Sequence, residues 1–299
     1  MVKVYGIAAV TCLVRTLAVL LALALKGNDA EDLNPATAVK KASPEFILAG
    51  DPNMSETQRP SLAQIPADQH IQVGVLVFPQ MDQIDLTGPF SVLCRMPNTS
   101  VELLWKDKTA FRDHRGLTIT PDAALADAKP IDLLVIPGGP GQEDLMEDEA
   151  ILSFIRKRAE SAKCVYSVCT GALLCGSAGL LKGRCATTHW ASVQFLKCFG
   201  ANPVDKRVVI DGKLVSAAGL TAGIDGALVV ASKLRGEEAV KAIQLDIQYA
   251  PEPPFDCGLP SKAPAEIVAK LTRESEKLTA RRLATAKRVA AKLKVRVEE

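Results

Sequence analysis

The stretch that decides the fold is CVYSVCTGALLCG, residues 164–176. Its first five residues form an apolar, partly β-branched run that predicts a buried strand, and residues 170–177 predict a short helix. The chain must therefore turn sharply from strand into helix at Cys169. A turn of this kind aims one side chain out of the carboxyl edge of a sheet, where a nucleophile can meet a substrate.

The same alternation of strand and helix runs along the chain from residue 71. IQVGVLVF (71–78), VELLW (101–105) and IDLLVIPGGPG (131–141) each predict a strand, and the last of these ends in a loop dense in Gly and Pro. RVVIDGKLVSA (207–217) predicts two strands joined by an Asp-Gly turn. Strands that alternate with helices predict an α/β fold, a three-layer α/β/α sandwich with a mostly parallel sheet and a nucleophile elbow.

Composition bears on the class of partner. The 299 residues carry 36 basic and 34 acidic side chains, and 48% of the residues are hydrophobic, which is enough for a full core. The formal net charge of +2 argues against nucleic acid or an anionic membrane as the main partner. Aromatic residues make up only 4%, so few side chains can stack on bases. We expect a small-molecule substrate and no nucleic acid.

The N-terminal region differs from the rest. Residues 1–27 contain no acidic residue and become strongly apolar, which is typical of a secretory signal or an organellar transit segment. A membrane role would require that this segment stays uncleaved, and Arg15 near its centre would cost about 2.5–3.5 kcal/mol in a bilayer. Residues 28–69 show no clear periodicity and predict a flexible linker. The compartment stays open.

The sequence predicts a catalytic domain over residues 70–262 and a basic C-terminal helix, within residues 263–299, that packs on it. A basic helix can bind nucleic acid, but a solvated basic face is the simpler interpretation, and a helix-turn-helix would need a second helix. The apolar positions expected to face inward are Ile267, Leu271, Leu278 and Leu293.

The eight cysteines do not predict a metal site. They lie at positions 12, 94, 164, 169, 175, 185, 198 and 257, without a C-x-x-C pair and without a histidine at zinc-binding spacing. Most of them lie in apolar runs, where free thiols behave as small hydrophobic side chains. We expect neither a structural metal nor an organic cofactor.

Position distinguishes Cys169 from the other cysteines. The N–H dipoles at the start of its helix favour a thiolate, so we expect a lowered pKa for this thiol. Gly138 and Gly139 end the preceding long strand and expose backbone N–H groups toward the same crevice. Together with the N–H of Thr170, they are candidates to hold a developing negative charge, as an oxyanion hole does.

The reaction also needs an acid or base. Asp85 follows the first strand, so it is expected over the same edge of the sheet, with a pKa raised by burial. The alternative is that Asp85 caps its own helix. His189 is the credible imidazole, although it is as well placed to cap the helix that starts near Trp190. His70 and His114 are expected away from the strand ends.

Five stretches together carry a family resemblance. They are QVGVLVFPQMDQIDLTGPFSVL (72–93), VIPGGPG (135–141), SVCTGALLCGSAGLLKGRCATTHWASV (167–193), LTAGIDGALVVA (220–231) and YAPEPPFDCG (249–258). Over about residues 71–290 the chain resembles the DJ-1/PfpI superfamily, specifically its isonitrile hydratase branch. The resemblance implies a flavodoxin-like fold, also described as class I glutamine amidotransferase-like.

The resemblance also implies roles. Cys169 would be the nucleophile, Asp85 the general acid/base and Thr170 a hydroxyl that orients the reacting group. The implied reaction hydrates an isonitrile to an N-substituted formamide without a cofactor, in a cytoplasmic homodimer. The superfamily more often has Glu in place of Asp85 and His in place of Thr170, so a Cys-His peptidase is not expected here.

Two other functions stay open at this point. The C-T-G-A and A-T-T-H-W patterns also resemble the amidase-like sensor domain of AraC-type regulators, in which the site binds a ligand without catalysis. A glyoxalase or deglycase activity on α-oxoaldehydes is the second alternative, because the same cysteine can attack an aldehyde. Assays on isonitriles and on methylglyoxal separate the three.

Overall fold

An eight-stranded sheet organises the part of the chain that the structure, a computed structural model, describes: residues 46–48 and 62–296. The strands are β1 (Phe46–Leu48), β2 (Ile71–Leu76), β3 (Thr99–Trp105), β4 (Phe111–Arg112), β5 (Thr118–Ile119), β6 (Ala123–Ala124), β7 (Leu133–Ile136), β8 (Cys164–Val168), β9 (Cys185–Ala186), β10 (Asn202–Pro203), β11 (Val208–Asp211) and β12 (Leu214–Ala217).

The large sheet has the order β1-β11-β12-β8-β7-β2-β3-β6. Every neighbouring pair in it is parallel except β11 and β12, which form an antiparallel hairpin at the predicted Asp-Gly turn. β4 and β5 form a separate antiparallel hairpin, and β9 pairs with β10 in parallel. The mostly parallel sheet is confirmed.

Helices cover both faces of this sheet. They are α1 (Gln83–Leu93), α2 (Gln142–Leu145), α3 (Glu149–Ser161), α4 (Gly171–Ser177), α5 (Ala222–Arg235), α6 (Glu237–Asp246) and α7 (Ala265–Lys292), with 3-10 helices at Leu125–Asp127 and Trp190–Phe199. α1, α5 and α6 pack as one group, and α2, α3, α4, α7 and the 3-10 helix Trp190–Phe199 pack as another. The strands β2, β7 and β8 are buried along their whole length, as this double cover requires.

The register of three central strands places the site. Val75 in β2 pairs with Val135 in β7, which pairs with Tyr166 in β8. The three strands are parallel, so the segments that follow them leave the sheet at one carboxyl edge. That edge is where open α/β sheets bind ligands.

One boundary differs from the expectation. Within the predicted linker, residues 28–69, the structure describes β1 in the sheet and buries Leu62 and Ile65 in the core, so ordered packing begins before residue 70. The reason is that apolar side chains separated by polar ones still bury area when a tertiary surface accepts them. The predicted targeting segment, residues 1–27, lies outside the described residues.

The C-terminal helix packs on the domain along only part of the expected apolar side. Leu293 packs against the core and Leu278 is half-buried, as expected. The buried positions of the helix are Arg282, Thr285, Ala286, Val289 and Ala290. Ile267 and Leu271, expected to face inward, are exposed, because the helix contacts the domain mainly through its second half, against the 3-10 helix Trp190–Phe199. The expected division of the chain into segments otherwise stays a prediction.

None of the helices in the described ranges combines the length and the apolar character that a bilayer crossing demands. Seven cysteines lie in these ranges, and all seven are free thiols. Within the same ranges, no group of three or more His, Cys, Asp or Glu side chains is arranged to hold a metal ion.

Candidate active site

The turn at Cys169 is a strained strand-to-helix junction. β8 ends at Val168, α4 begins at Gly171, and Cys169 between them has a φ of 54°. A non-glycine residue in this left-handed region costs on the order of 1–3 kcal/mol and persists only where its surroundings hold it. The Cys169 N–H donates to the Ala217 carbonyl at 3.0 Å, and the Thr188 hydroxyl donates to the Cys169 carbonyl at 2.7 Å.

Glycine is required beside the cysteine because the backbones come very close. A Cβ at Gly171 would lie 1.9 Å from the Ile136 carbonyl oxygen, and a Cβ at Gly138 would lie 2.5 Å from the Thr170 nitrogen. The end of β7 and the start of α4 therefore touch through their main chains. This contact fixes the cysteine turn against the Gly-rich loop, as the small residues of the sequence predict.

The structure brings Asp85 to the cysteine. Asp85 lies in the first turn of α1, is fully buried, and interacts with the Cys169 thiol. Its Oδ2 accepts a hydrogen bond from the Gly138 N–H at 3.0 Å, and its Oδ1 is buried without an N–H or O–H donor. The N-cap of α1 is Asp82, whose carboxylate accepts from the Ile84 N–H, so the capping alternative for Asp85 is wrong.

Burial sets the protonation of this carboxyl group. Desolvation, followed by the negative charge of Asp82, raises the pKa of Asp85 to about 7. The Gly138 N–H and the Cys169 thiol stabilise the ionised form and act in the opposite direction. A carboxyl group with a pKa near neutrality can both accept and donate a proton during a reaction at neutral pH.

The expectation of a lowered pKa for Cys169 is wrong. Burial, followed by the charge of Asp85, raises the pKa of the Cys169 thiol well above its ordinary value. The Thr170 N–H does bond the sulfur and favours the thiolate, as expected from the start of α4, but this effect is smaller than desolvation. The resting group is a neutral thiol, so its proton has to leave as the sulfur attacks.

The Gly-rich loop does not leave open the N–H groups that the sequence suggested for an oxyanion hole. The Gly138 N–H is bonded to Asp85, and the Gly139 N–H donates to the Thr170 hydroxyl at 3.0 Å. Both N–H groups therefore hold site side chains in place. The Thr170 side chain is itself buried and also lies 3.4 Å from the Gly139 carbonyl oxygen, to which its hydroxyl can donate.

Histidines flank the site without bonding the sulfur. His189 caps the 3-10 helix by accepting the Ala191 N–H at 3.3 Å, which confirms the capping alternative. Burial, followed by the positive charge of Arg282, lowers the pKa of His189, while the charge of Asp82 raises it, so a neutral imidazole is favoured. His189 is therefore close enough to Arg282 and Asp82 for their charges to change its pKa.

His114 lies closer to the site than the sequence suggested. Its Nε2 is 3.7 Å from the Asp82 carboxylate, and its Nδ1 is 3.2 Å from the Met81 carbonyl oxygen. The expectation that His114 lies away from the strand ends is therefore wrong. The signal was present, because the β4–β5 hairpin that carries it follows β3 at the same carboxyl edge of the sheet. His70 lies elsewhere and contacts Asn98.

Sequence reasoning missed one charged residue altogether. Arg282, in α7, is buried, and its guanidinium donates to the Gly139 carbonyl at 3.0 Å. Its charge acts on both Cys169 and His189. Helical spacing in the sequence could have indicated that Arg282 is buried, because it lies one turn from Ala286 and two turns from Val289 on the buried face of α7.

Comparisons with known proteins show which family the sequence resembles. The model of the DJ-1/PfpI family matches residues 71–233. The chain is 45% identical over 226 residues to an isonitrile hydratase from Pseudomonas putida, covering 76% of this chain and 99% of that protein. It is 36% identical over 104 residues to a deglycase from Thermococcus kodakarensis, covering 34% of this chain and 63% of the deglycase.

A solved structure extends the likeness to the fold. The crystal structure of a ThiJ/PfpI family protein from Pseudomonas syringae superposes with a TM-score of 0.72 at 32% sequence identity, covering 79% of this chain and 98% of that one. The similarity of fold therefore extends over most of this chain and nearly all of that one.

Proposed function

This chain belongs to the DJ-1/PfpI family, and we propose that it is a cofactor-independent hydratase that converts isonitriles to N-substituted formamides on Cys169. One observation carries the proposal: a buried carboxyl group with a pKa of about 7, Asp85, is paired with a thiol at a strained strand-to-helix turn. The similarity to the Pseudomonas putida isonitrile hydratase, which covers 99% of that protein and 76% of this chain, supports the choice of substrate class. The expected homodimer stays a prediction.

The first half of the reaction moves one proton from sulfur to carbon. The Asp85 carboxylate accepts the thiol proton while the Cys169 sulfur bonds to the terminal carbon of R–NC. Asp85 then donates that proton to the same carbon, which gives the thioimidate Cys169–S–CH=N–R. The arrangement suits this step because the proton acceptor has a pKa near neutrality and the thiol is protonated at rest.

The second half adds water. Asp85, again ionised, accepts a proton from a water molecule whose oxygen bonds to the thioimidate carbon. The nitrogen takes up that proton, which gives Cys169–S–CH(OH)–NH–R. The carbon–sulfur bond then breaks while the hydroxyl proton passes to the sulfur, so R–NH–CHO leaves and Cys169 is restored as a thiol. The sum is R–NC plus water to formamide, with no electron transfer. Thr170 and the Gly138–Gly139 loop hold the two reacting side chains in register.

The test is the formation of N-cyclohexylformamide from cyclohexyl isonitrile by the purified chain, followed by mass spectrometry. We expect turnover by the wild type and by Cys175→Ala, a matched change at another buried cysteine in α4. We expect none from Cys169→Ala. Absence of formamide above buffer from folded wild-type protein would overturn the proposal, and consumption of methylglyoxal instead would indicate an α-oxoaldehyde substrate.

A further inference from the structure

The basic residues of α7 fall into two kinds. Arg281 pairs with Glu143 and Asp144, Arg288 pairs with Glu147, and Lys292 also pairs with Glu147. Arg282 is far less exposed than any of these, with a relative exposure of 7%, yet it forms no ion pair in the described part of the chain. Buried charges in proteins are ordinarily paired, so this cation stands out.

The guanidinium of Arg282 has bonding capacity left over. Its acceptor among the described residues is the neutral Gly139 carbonyl, and its buried Nε has no partner. Glu143 is near enough to influence it electrostatically, but Glu143 is already bonded through one oxygen to Arg281 and through the other to the Thr285 hydroxyl. A guanidinium presents five N–H donors in a planar fork that suits a carboxylate.

The position of this cation links it to the reacting sulfur. The Gly139 carbonyl that accepts from Arg282 also lies 3.4 Å from the Thr170 hydroxyl, and Thr170 follows Cys169 directly. The positive charge of Arg282 favours the thiolate form of Cys169, but burial acts more strongly and keeps the thiol protonated. The resting site therefore holds a buried cation whose charge acts on the nucleophile and which forms no ion pair among the described residues.

We propose that Arg282 binds a carboxylate on the substrate, so that the site takes isonitriles that carry a carboxylate close to the isocyano group. This inference names the substrate class of the proposed hydratase and rests on that function for the isonitrile part alone. The smallest member of the class is isocyanoacetate, whose hydration gives N-formylglycine. Arg282 makes no bond in the chemistry, and its role is to fix the distance between the carboxylate and Cys169.

The direct test is calorimetric binding of N-formylglycine and of its neutral isostere N-formylglycinamide to the full chain. We expect the wild type to bind the anion at least about tenfold more tightly, the scale of one desolvated charge-assisted pair. Arg282→Met is expected to remove this preference while retaining the affinity for the amide, and Arg282→Lys to keep part of it. Lys277→Met, which removes an equal charge from an exposed position of the same helix, is expected to leave it unchanged.

The location of the anion is tested by alkylation. Bound N-formylglycine should slow the reaction of iodoacetamide with Cys169 and leave the reaction of the exposed Cys257 unchanged, as read by peptide mass spectrometry. Equal affinity of the wild type for anion and amide, or an equal loss of both in Arg282→Met, would overturn the inference, because either result gives Arg282 a structural role. If Arg282→Met does not fold, the inference is still tested by the preference of the wild type for the anion over the amide and by the reduced preference expected in Arg282→Lys.

Turnover separates this inference from the proposed function. We expect the kcat/KM for isocyanoacetate to exceed that for its methyl ester by about tenfold in the wild type and to equal it in Arg282→Met. Formamide from the ester without any anion preference contradicts the role of Arg282 and leaves the hydratase standing. Anion preference in binding without formamide from either compound contradicts the hydratase and leaves the carboxylate site standing.

Discussion

The carboxyl edge of the sheet and the helix α7 contribute opposite kinds of group to one site. At the edge, burial raises the pKa of Asp85 to about 7, so this carboxyl group can accept the proton of the neighbouring Cys169 thiol, which burial keeps protonated at rest. In α7, burial lowers the pKa of Arg282, but the guanidinium stays charged and can only attract. Burial alone therefore does not define a catalytic group. For a proton carrier such as Asp85, what matters is whether burial brings its pKa near the pH of the reaction.

The largest expected effect concerns the edge. Replacing Asp85 with Asn keeps the size of the side chain and removes the proton carrier, so turnover of cyclohexyl isonitrile should fall by about 10²–10⁴-fold. Steady-state kinetics at saturating substrate measure this directly. Activity within a factor of a few of the wild type would show that Asp85 is not the proton carrier. The carboxyl edge would then not differ from α7 in the way described above.

A second change tests the close backbone contact that holds the elbow. Gly171→Ala places a Cβ 1.9 Å from the Ile136 carbonyl oxygen, so β7 and α4 must separate. We expect a loss of stability of about 1–3 kcal/mol and a marked fall in activity. Gly258→Ala is the control, because a Cβ there meets nothing within 4 Å. Equal melting temperatures for the two variants would contradict the contact.

The burial of Asp85 also predicts a pH-dependent stability. Its folded pKa of about 7 lies above the ordinary value of 3.8, so the folded state holds the proton more tightly and the protein loses stability as the pH rises from about 4 to 7. Asp85→Asn removes this loss, on the order of a few kcal/mol. Its melting temperature should therefore rise relative to the wild type as the pH goes from 4 to 8, and a constant difference would contradict the burial argument.

The strain at Cys169 gives a smaller effect. Its φ of 54° suits glycine better than any residue with a Cβ, so Cys169→Gly should be more stable than Cys169→Ala by about 1 kcal/mol. Both variants lack the nucleophile, so only the backbone differs between them. Chemical denaturation of the two proteins measures the difference, and greater stability of the alanine variant would show that the turn is not strained.

The smallest expected effect is a shift in the pKa of Asp85. Asp82→Asn keeps an efficient N-cap for α1 and removes a negative charge that raises the pKa of Asp85. The pKa of Asp85 should fall, so the acid limb of the pH profile of kcat/KM should move to lower pH, and this shift is the expected measurement. An unmoved limb would show that Asp82 does not act on the proton carrier.

Local sequence predicted the edge of the sheet well and α7 poorly, for a physical reason. The elbow, the Gly-rich loop and the place of Asp85 follow from strand ends and small residues that are neighbours in the chain. The raised pKa of Cys169 depends on how much protein covers the sulfur, which no local pattern reports. Arg282 lies more than a hundred residues from Cys169 in the chain, and only tertiary packing brings its charge to the sulfur.

The engaged N–H groups of the Gly-rich loop show the same limit. The sequence indicates that Gly138 and Gly139 leave their backbones unshielded, and it does not indicate which acceptor will take each N–H. In the structure the acceptors are the side chains of Asp85 and Thr170, which come from two other segments. A motif predicts where donors are available, and the fold decides what they bind.

The proton of Asp85 is the most direct test of the account. Infrared difference spectra of the wild type and Asp85→Asn, recorded from pH 5 to 9, follow the band of a protonated carboxyl group. We expect a band that is lost with a midpoint near pH 7 in the wild type and is missing from the variant. A wild type whose carboxyl groups are all ionised by pH 5, or the same titrating band in Asp85→Asn, would contradict it.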